Sequence, residues 1–347
     1  MPGVTRRVMM TTDAVGGVWR YSMDMARGLR ERGWTVRLAV LGPSPNPAQR
    51  LETPVELIET GLQLDWTAES PRELEYIAAD LAQLASGSEV VLLHAPALIG
   101  DAEWLVPVVT VVHSCVATWW RAVRDGPLPS NLAWRAEATR AGLSHAAVAI
   151  APSRALADAL QEVYGAAGLI VVPNGRAPNL ASAAAARRGV LTAGRLWDEG
   201  KGVAFLDRVA DRLGLTFAAA GSIRAPDGAG IVLRHLRLLG VLAEPAMAAA
   251  LADAQVFASA ARYEPFGLAV LEAAQAGCAL VLSDIPSFRE LWDGAATFVA
   301  LGDEEGWTSA LTAAHANPAL GLAARTRAAR YTADAMVDAT AAVLARL

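Results

Sequence analysis

Short runs rich in valine and leucine alternate with longer runs of alanine, leucine and arginine from end to end, and this alternation constrains the fold more than any other feature. Strands separated by helical crossovers pair in parallel, so the pattern predicts parallel sheets covered on both faces by helices. In the first half the spacing predicts strands near 8–11, 36–41, 90–94, 108–113, 147–151 and 170–173. Pro173-Asn174-Gly175 breaks the scheme, and an alanine-rich segment ending in Arg187-Arg188 leads into a second series near 189–193, 216–220, 256–259, 279–283 and 297–299. At 347 residues the length fits two domains, each able to bury its own core. The division expected is 1–175, 176–325 and a final helical run, 326–347, that crosses back onto the first domain. The fold class expected is α/β: two doubly wound parallel sheets whose carboxyl-end loops face a cleft.

The residues Arg262-Tyr263-Glu264-Pro265-Phe266-Gly267-Leu268, with Glu272 following, place two carboxylates around a helix start. Leu268, Val270, Leu271, Ala274 and Ala276 have helical spacing, and Gly277 ends the run. Free amides in the first turn, opened by Gly267, would attract a pyrophosphate. Glu264 and Glu272 would repel it unless they reached past it to hydroxyl groups, since a carboxylate can accept two hydrogen bonds from a vicinal diol. A diphosphate flanked by diols is a nucleotide sugar.

Three further loops follow predicted strands. Gly16-Gly17, before a helix over 19–32, lets backbone approach a ligand, although such glycines also serve tight packing alone. Gly194-Arg195-Leu196 with Lys201-Gly202 offers a forked and a point cation for a diphosphate leaving group, against the alternative of a solvated loop. His113 ends a strand, where a lone histidine is more often structural than catalytic, and His94 on the neighbouring strand end competes for its role. Trp119-Trp120-Arg121, Arg124 and Trp134-Arg135 form an aromatic and basic cluster suited to a sugar or lipid-headgroup acceptor, or to helix core.

Composition narrows the classes. With 54% apolar and 19% charged residues the chain is globular, and a net charge of -5 argues against nucleic acid as a general partner. Cys115 and Cys278 are too few and too far apart for a disulfide framework or a metal knot, which points to a reducing cytoplasm. The start, with Arg6-Arg7-Val8-Met9-Met10, has no signal-peptide pattern, and the most apolar stretch, 105–120, falls short of the roughly 20 residues a membrane span needs. There is no Asp-any-Asp triplet and no zinc spacing, so a metal-bridged diphosphate is not expected. A nucleophile elbow and a Walker loop are also missing, and the first loop lacks the three-glycine dinucleotide fingerprint of nicotinamide and flavin oxidoreductases.

These residues resemble the GT-B glycosyltransferases, and within them the retaining family 4 (glycosyl transferases group 1). The resemblance is carried by Gly16-Gly17, Asn174-Gly175, Gly194-Arg195 with Lys201-Gly202, the pair Glu264 and Glu272 around Pro265-Phe266-Gly267-Leu268, and Ser283-Asp284-Ile285-Pro286 with Glu290. It covers the whole chain and is strongest over 190–299. It implies two Rossmann-like domains, with the acceptor on the N-terminal side and the nucleotide sugar on the C-terminal side. It implies donor-diphosphate contacts at Arg195 and Lys201, ribose at Glu272, transferred sugar at Glu264 and backbone amides from Phe266, Gly267 and Leu268. Gly16 and Gly17 would lie by the phosphates and His113 would line the reaction centre. Ser114 stands where the family often has an aspartate, which bears on any acid/base role assigned there, and Ala258-Ser259 replaces a usual proline-serine pair.

The activity expected is transfer of a hexose from a UDP- or GDP-linked sugar to a hydroxyl of a glycan, lipid-linked sugar or small molecule, with retention, without metal and without a cofactor beyond the donor itself. The location expected is cytoplasmic, with peripheral contact at the inner membrane face if the acceptor is lipid-linked. The alternatives are a nucleotide-sugar epimerase, a sugar phosphorylase, or a non-catalytic sugar-binding protein of the same fold.

Overall fold

A computed structural model describes residues 6–179, 187–225 and 228–347; most of the alanine-rich segment before Arg187 lies outside the described residues. The chain forms two compact units, 1–175 with 333–347, and 176–332.

The strands of the first unit are β1 (Arg7–Asp13), β2 (Thr35–Leu41), β3 (Glu56–Glu59), β4 (Val90–Leu93), β5 (Val108–Val111), β6 (Val148–Ala151) and β7 (Ile170–Val171). They form one parallel sheet in the order β3-β2-β1-β4-β5-β6-β7. The second unit has β8 (Val190–Ala193), β9 (Phe217–Ala220), β10 (Arg237–Gly240), β11 (Val256–Ser259), β12 (Ala279–Ser283) and β13 (Thr297–Val299), parallel in the order β10-β9-β8-β11-β12-β13. Each order reverses once, between β1 and β4 and between β8 and β11. At such a switch point the loops leave the strand ends in opposite directions and open a crevice.

The helices are α1 (Gly17–Glu31), α2 (Pro47–Glu52), α3 (Pro71–Leu84), α4 (Val116–Val123), α5 (Ser130–His145) and α6 (Arg154–Tyr164), then α7 (Val203–Asp211), α8 (Glu244–Asp253), α9 (Leu268–Ala276), α10 (Pro286–Trp292), α11 (Glu304–Ala316), α12 (Ala319–Ala328) and α13 (Ala333–Leu344). Alternation along the strands decides which layer each side chain joins. Val8 and Met10 of β1 pack with Met25 and Leu29 of α1 and Val337 of α13, whereas Met9 points to the other face with Leu74 and Leu81 of α3. In the second unit Leu280 and Leu282 face α9 while Ala279 and Val281 face α7 and α11. Both faces are therefore dry, which explains the near-continuous apolar runs of the central strands.

Two strands escape the sequence pattern, β3 and β10. Both lie on sheet edges; β3 has a glutamate at each end and is only partly buried, and β10 starts at Arg237 and is mostly exposed, so their hydrophobic signal is weak. The helical run expected over 326–347 is also corrected. Residues 326–328 finish α12, the chain turns at 329–332, and a separate helix α13 begins at Ala333. Tyr331 causes the turn to be worth making: its ring packs edge-on against Phe266 and Trp292, and its hydroxyl donates to the Leu291 carbonyl at 3.0 Å. α13 then packs on α1, where Gly28 lets Val337 approach so closely that a Cβ would meet its methyl group at 2.7 Å. Arg32 at the end of α1 pairs with Asp338 at 2.6 Å and Asp334 at 3.2 Å.

Candidate functional site

The strands next to the second unit's switch point, β8 and β11, each run into a loop that ends in a glycine with positive φ and then a helix. β8 leads through Gly202 (φ 65°) to α7, and β11 through Gly267 (φ 90°) to α9. Asp198 organises the first loop: its carboxylate accepts from Arg195 at 3.0 Å and from the Gly200 N–H at 2.9 Å. The Gly200 carbonyl then accepts the N–H groups of Arg262 (2.8 Å) and Tyr263 (3.2 Å), clipping one loop to the other. The approach leaves no room for a side chain at Gly202, where a Cβ would lie 2.0 Å from the Ala260 carbonyl oxygen.

That clip brings Lys201 to Glu264, Nζ to Oε2 at 2.6 Å, with side chains 20% and 17% exposed. Ser287 donates to the Glu264 carbonyl at 2.6 Å and steadies the loop from α10. Phe266 is buried against Tyr331, so only its backbone is available to a ligand, and Gly267 starts α9 without a side-chain cap. Arg195 is half exposed and its guanidinium lies 5.6 Å from the Trp197 ring centre.

Glu272, at the midpoint of α9, pairs at 3.2 Å with Arg176. Arg176 is only 6% exposed and also holds Glu244 at 2.7 Å, while its carbonyl accepts from the Gln275 amide at 3.1 Å. Thus both expected diol-gripping acids, and both expected phosphate cations, have charged partners within the chain. Nothing in the sequence reading singled out Arg176, Glu244 or Asp198. The only signal was Asp198 two residues before Gly200, the spacing of a carboxylate that caps its own turn.

In the first unit, Asp13 at the end of β1 accepts the Val15 N–H at 2.8 Å, and Gly16 (φ 79°) turns the chain into α1 with open space where a side chain would stand. Gly17 is the first residue of that helix. His94 directly follows β4 and His113 lies two residues beyond β5, the next strand in the sheet. The two rings do not compete. His94 Nδ1 lies 2.9 Å from His113 Nε2, His94 Nε2 lies 3.3 Å from Ser22 Oγ, and Tyr21 sits edge-on to both rings. Burial lowers the pKa of His113 to about 4; burial first, and then the nearby His113, hold His94 well below the usual imidazole range. Both are neutral at pH 7.

The aromatic and basic cluster is largely committed to the protein itself. Arg135 donates to the carbonyls of Asp65 (2.9 Å) and Ala68 (2.7 Å), and Trp134 packs against the core beneath α3. Arg121 pairs with Glu162 at 2.8 Å, and Arg124 lies 5.8 Å from the Trp119 ring centre. Among the described residues no three or more His, Cys, Asp or Glu side chains are placed to hold a metal ion, and no helix is long and apolar enough to cross a membrane.

Comparison with known proteins identifies the fold and the family. The fold matches sucrose-phosphate synthase from Thermosynechococcus elongatus (TM-score 0.81, 16% identity, 98% of each chain covered). It also matches HepE from Anabaena, solved in complex with UDP and glucose (TM-score 0.73, 16% identity, 99% of this chain and 100% of that one). A third match is WaaG, a glycosyltransferase involved in lipopolysaccharide biosynthesis (TM-score 0.74, 16% identity, 97% and 99%). No curated protein matches the chain. A family model for Glycosyltransferase Family 4 matches residues 15–179, and one for Glycosyl transferases group 1 matches 187–317. With both halves matched and the two-sheet fold shared, the chain belongs to the GT-B glycosyltransferases of family 4, the glycosyl transferases group 1, and is a transferase.

Proposed function

We propose that this transferase moves a hexose from a nucleoside diphosphate sugar, UDP- or GDP-linked, to an acceptor hydroxyl, with retention at the anomeric carbon and without a metal ion. The observation that carries the reading is the pair of clipped loops at the β8/β11 switch point. They hold Arg195, Lys201 and Glu264 together beside the uncapped first turn of α9. In this reading the diphosphate is met by Arg195, Lys201 and the α9 amides, with backbone from Phe266, Gly267 and Leu268, while Gly16 and Gly17 leave room at the start of α1. Lys201 is oriented by Glu264, and the arriving sugar takes over part of that carboxylate's hydrogen bonding. Glu272, fixed by Arg176, receives the ribose hydroxyls. His113 contacts the transferred sugar. The likeness to HepE, solved with UDP and glucose, supports the donor class.

Retention follows if attack comes from the face the diphosphate leaves, with the departing oxygen taking the acceptor proton and the cations stabilising the charge that develops. The acceptor belongs to the N-terminal unit in this scheme, and it is a glycan, a lipid-linked sugar or a small molecule in the cytoplasm or at the inner membrane face. The test is an assay of purified protein with UDP-, GDP- and ADP-hexoses, with and without an acceptor panel, in the presence of EDTA, reading products by NMR. An α-linked product from an α-linked donor in EDTA is expected. Inversion, or dependence on added metal, contradicts the corresponding part of the reading. Conversion of the donor sugar without an acceptor identifies an epimerase instead.

A further inference from the structure

The transfer reading uses His113 but not the side chains behind it. His94 is enclosed from three elements. Its N–H donates to Thr11 Oγ1 of β1 at 3.0 Å, Tyr21 and Ser22 of α1 touch its ring, and His113 beyond β5 completes the enclosure. The result is a continuous hydrogen-bonded chain, Ser22–His94–His113.

The far end sets the direction of this chain. Ser22 is fully buried, its hydroxyl has one hydrogen, and among the described residues His94 Nε2 is the only partner of its side chain. A buried hydroxyl that withheld its hydrogen would leave a donor unsatisfied, so Ser22 donates to His94 Nε2. A neutral imidazole accepting at Nε2 carries its hydrogen on Nδ1, so His94 donates to His113 Nε2. By the same rule His113 carries its hydrogen on Nδ1, and among the described residues no group of the chain takes that atom. The low pKa of both rings keeps them in these neutral forms at pH 7.

We propose that Ser22 and His94 are positioning residues that hold His113 in its Nδ1–H form, so that His113 meets the transferred sugar as a hydrogen-bond donor to oxygen and not as a base. The proposal rests on the reading of His113 as a residue that contacts the sugar. It assigns the buried serine and the second histidine a role in transfer, and it removes proton abstraction from the first histidine.

The test has two arms on the full-length protein. Long-range proton–nitrogen NMR of protein labelled with 15N-histidine, at neutral pH, distinguishes protonated from bare ring nitrogens, with assignment through His94→Gln and His113→Gln. Both rings are expected to carry hydrogen on Nδ1, and Ser22→Ala should bring in the Nε2–H form. Either ring in the Nε2–H form in the unaltered protein overturns the proposal, and that spectrum needs no variant to fold.

The kinetic arm compares His94→Asn, whose amide can donate from near the Nδ1 position, with His94→Leu. The asparagine variant should keep kcat within about threefold, whereas the leucine variant should lose about ten- to a hundredfold in kcat with donor KM nearly unchanged, the scale of a misplaced reacting group. Equal kcat in the two variants overturns the positioning role. His113→Ala at full kcat, with both Nδ1–H forms present in the unaltered protein, would instead sink the reading of His113 as a sugar contact and leave the proton arrangement standing.

Discussion

Lys201 and Glu264, paired at 2.6 Å, satisfy two charges that are about four-fifths buried. Removing either one strands the other, which costs more than the net value of the pair. We therefore expect Glu264→Gln, which keeps an oxygen for Lys201, to fold and to bind free nucleoside diphosphate nearly normally while losing transfer by tenfold or more. Equal losses of nucleotide affinity and kcat would assign Glu264 a structural role. The histidine pair makes a different prediction. His113 titrates near 4 in the folded protein against about 6.5 when unfolded, so the unfolded chain binds more protons between those values. The stability this contributes is complete above about pH 6.5 and is lost as pH falls through about 4. Thermal unfolding followed over that window should show a shallower pH dependence in His113→Asn than in the unaltered protein, and identical slopes would contradict the shift.

At the scale of elements, glycines without room for a Cβ set how closely helices and loops meet. Gly142 of α5 would place a Cβ 1.9 Å from the Pro96 carbonyl oxygen, and a carbonyl cannot swing aside as a side-chain tip can. Gly142→Ala should destabilise the protein by about 1–3 kcal/mol, the usual cost of overpacking, as measured by denaturant unfolding. Gly202→Ala adds positive-φ strain to a clash with Ala260, but the damage belongs to the clip between the loops. It should lower donor affinity at least tenfold, and unchanged affinity would show that the clip does not position Lys201. The central strands and the glycine-led starts of α1 and α9 were legible in the sequence because buried strands and forced φ values leave a strong local signature. The edges β3 and β10 were not, since short strands with exposed residues and a charged start resemble loops. The break before α13 was hidden for a similar reason: it depends on Tyr331 finding Phe266 and Trp292, which lie far off in sequence.

For the molecule as a whole, the candidate site residues gather near the point where each sheet reverses its order. In the first unit β1, β4 and β5 are consecutive in the sheet and carry Gly16, His94 and His113 at their carboxyl ends, although these residues lie well apart along the chain. In the second, β8 and β11 are neighbours and carry Arg195, Lys201 and Glu264. Motifs marked those positions one at a time. Strand order, which no local pattern encodes, decided that the two histidines share a hydrogen bond and that Lys201 meets Glu264. It also left Arg176 invisible beforehand, because a buried arginine between Glu244 and Glu272 is defined only by its partners. Whether Arg195 and Lys201 receive a donor's diphosphate is decided by calorimetric titration of UDP, GDP and ADP into the unaltered protein and into Arg195→Ala/Lys201→Ala. At least one nucleotide should bind the unaltered protein and lose about a hundredfold in affinity in the double variant, on the order of 3 kcal/mol. Equal affinity in both proteins would contradict the claim.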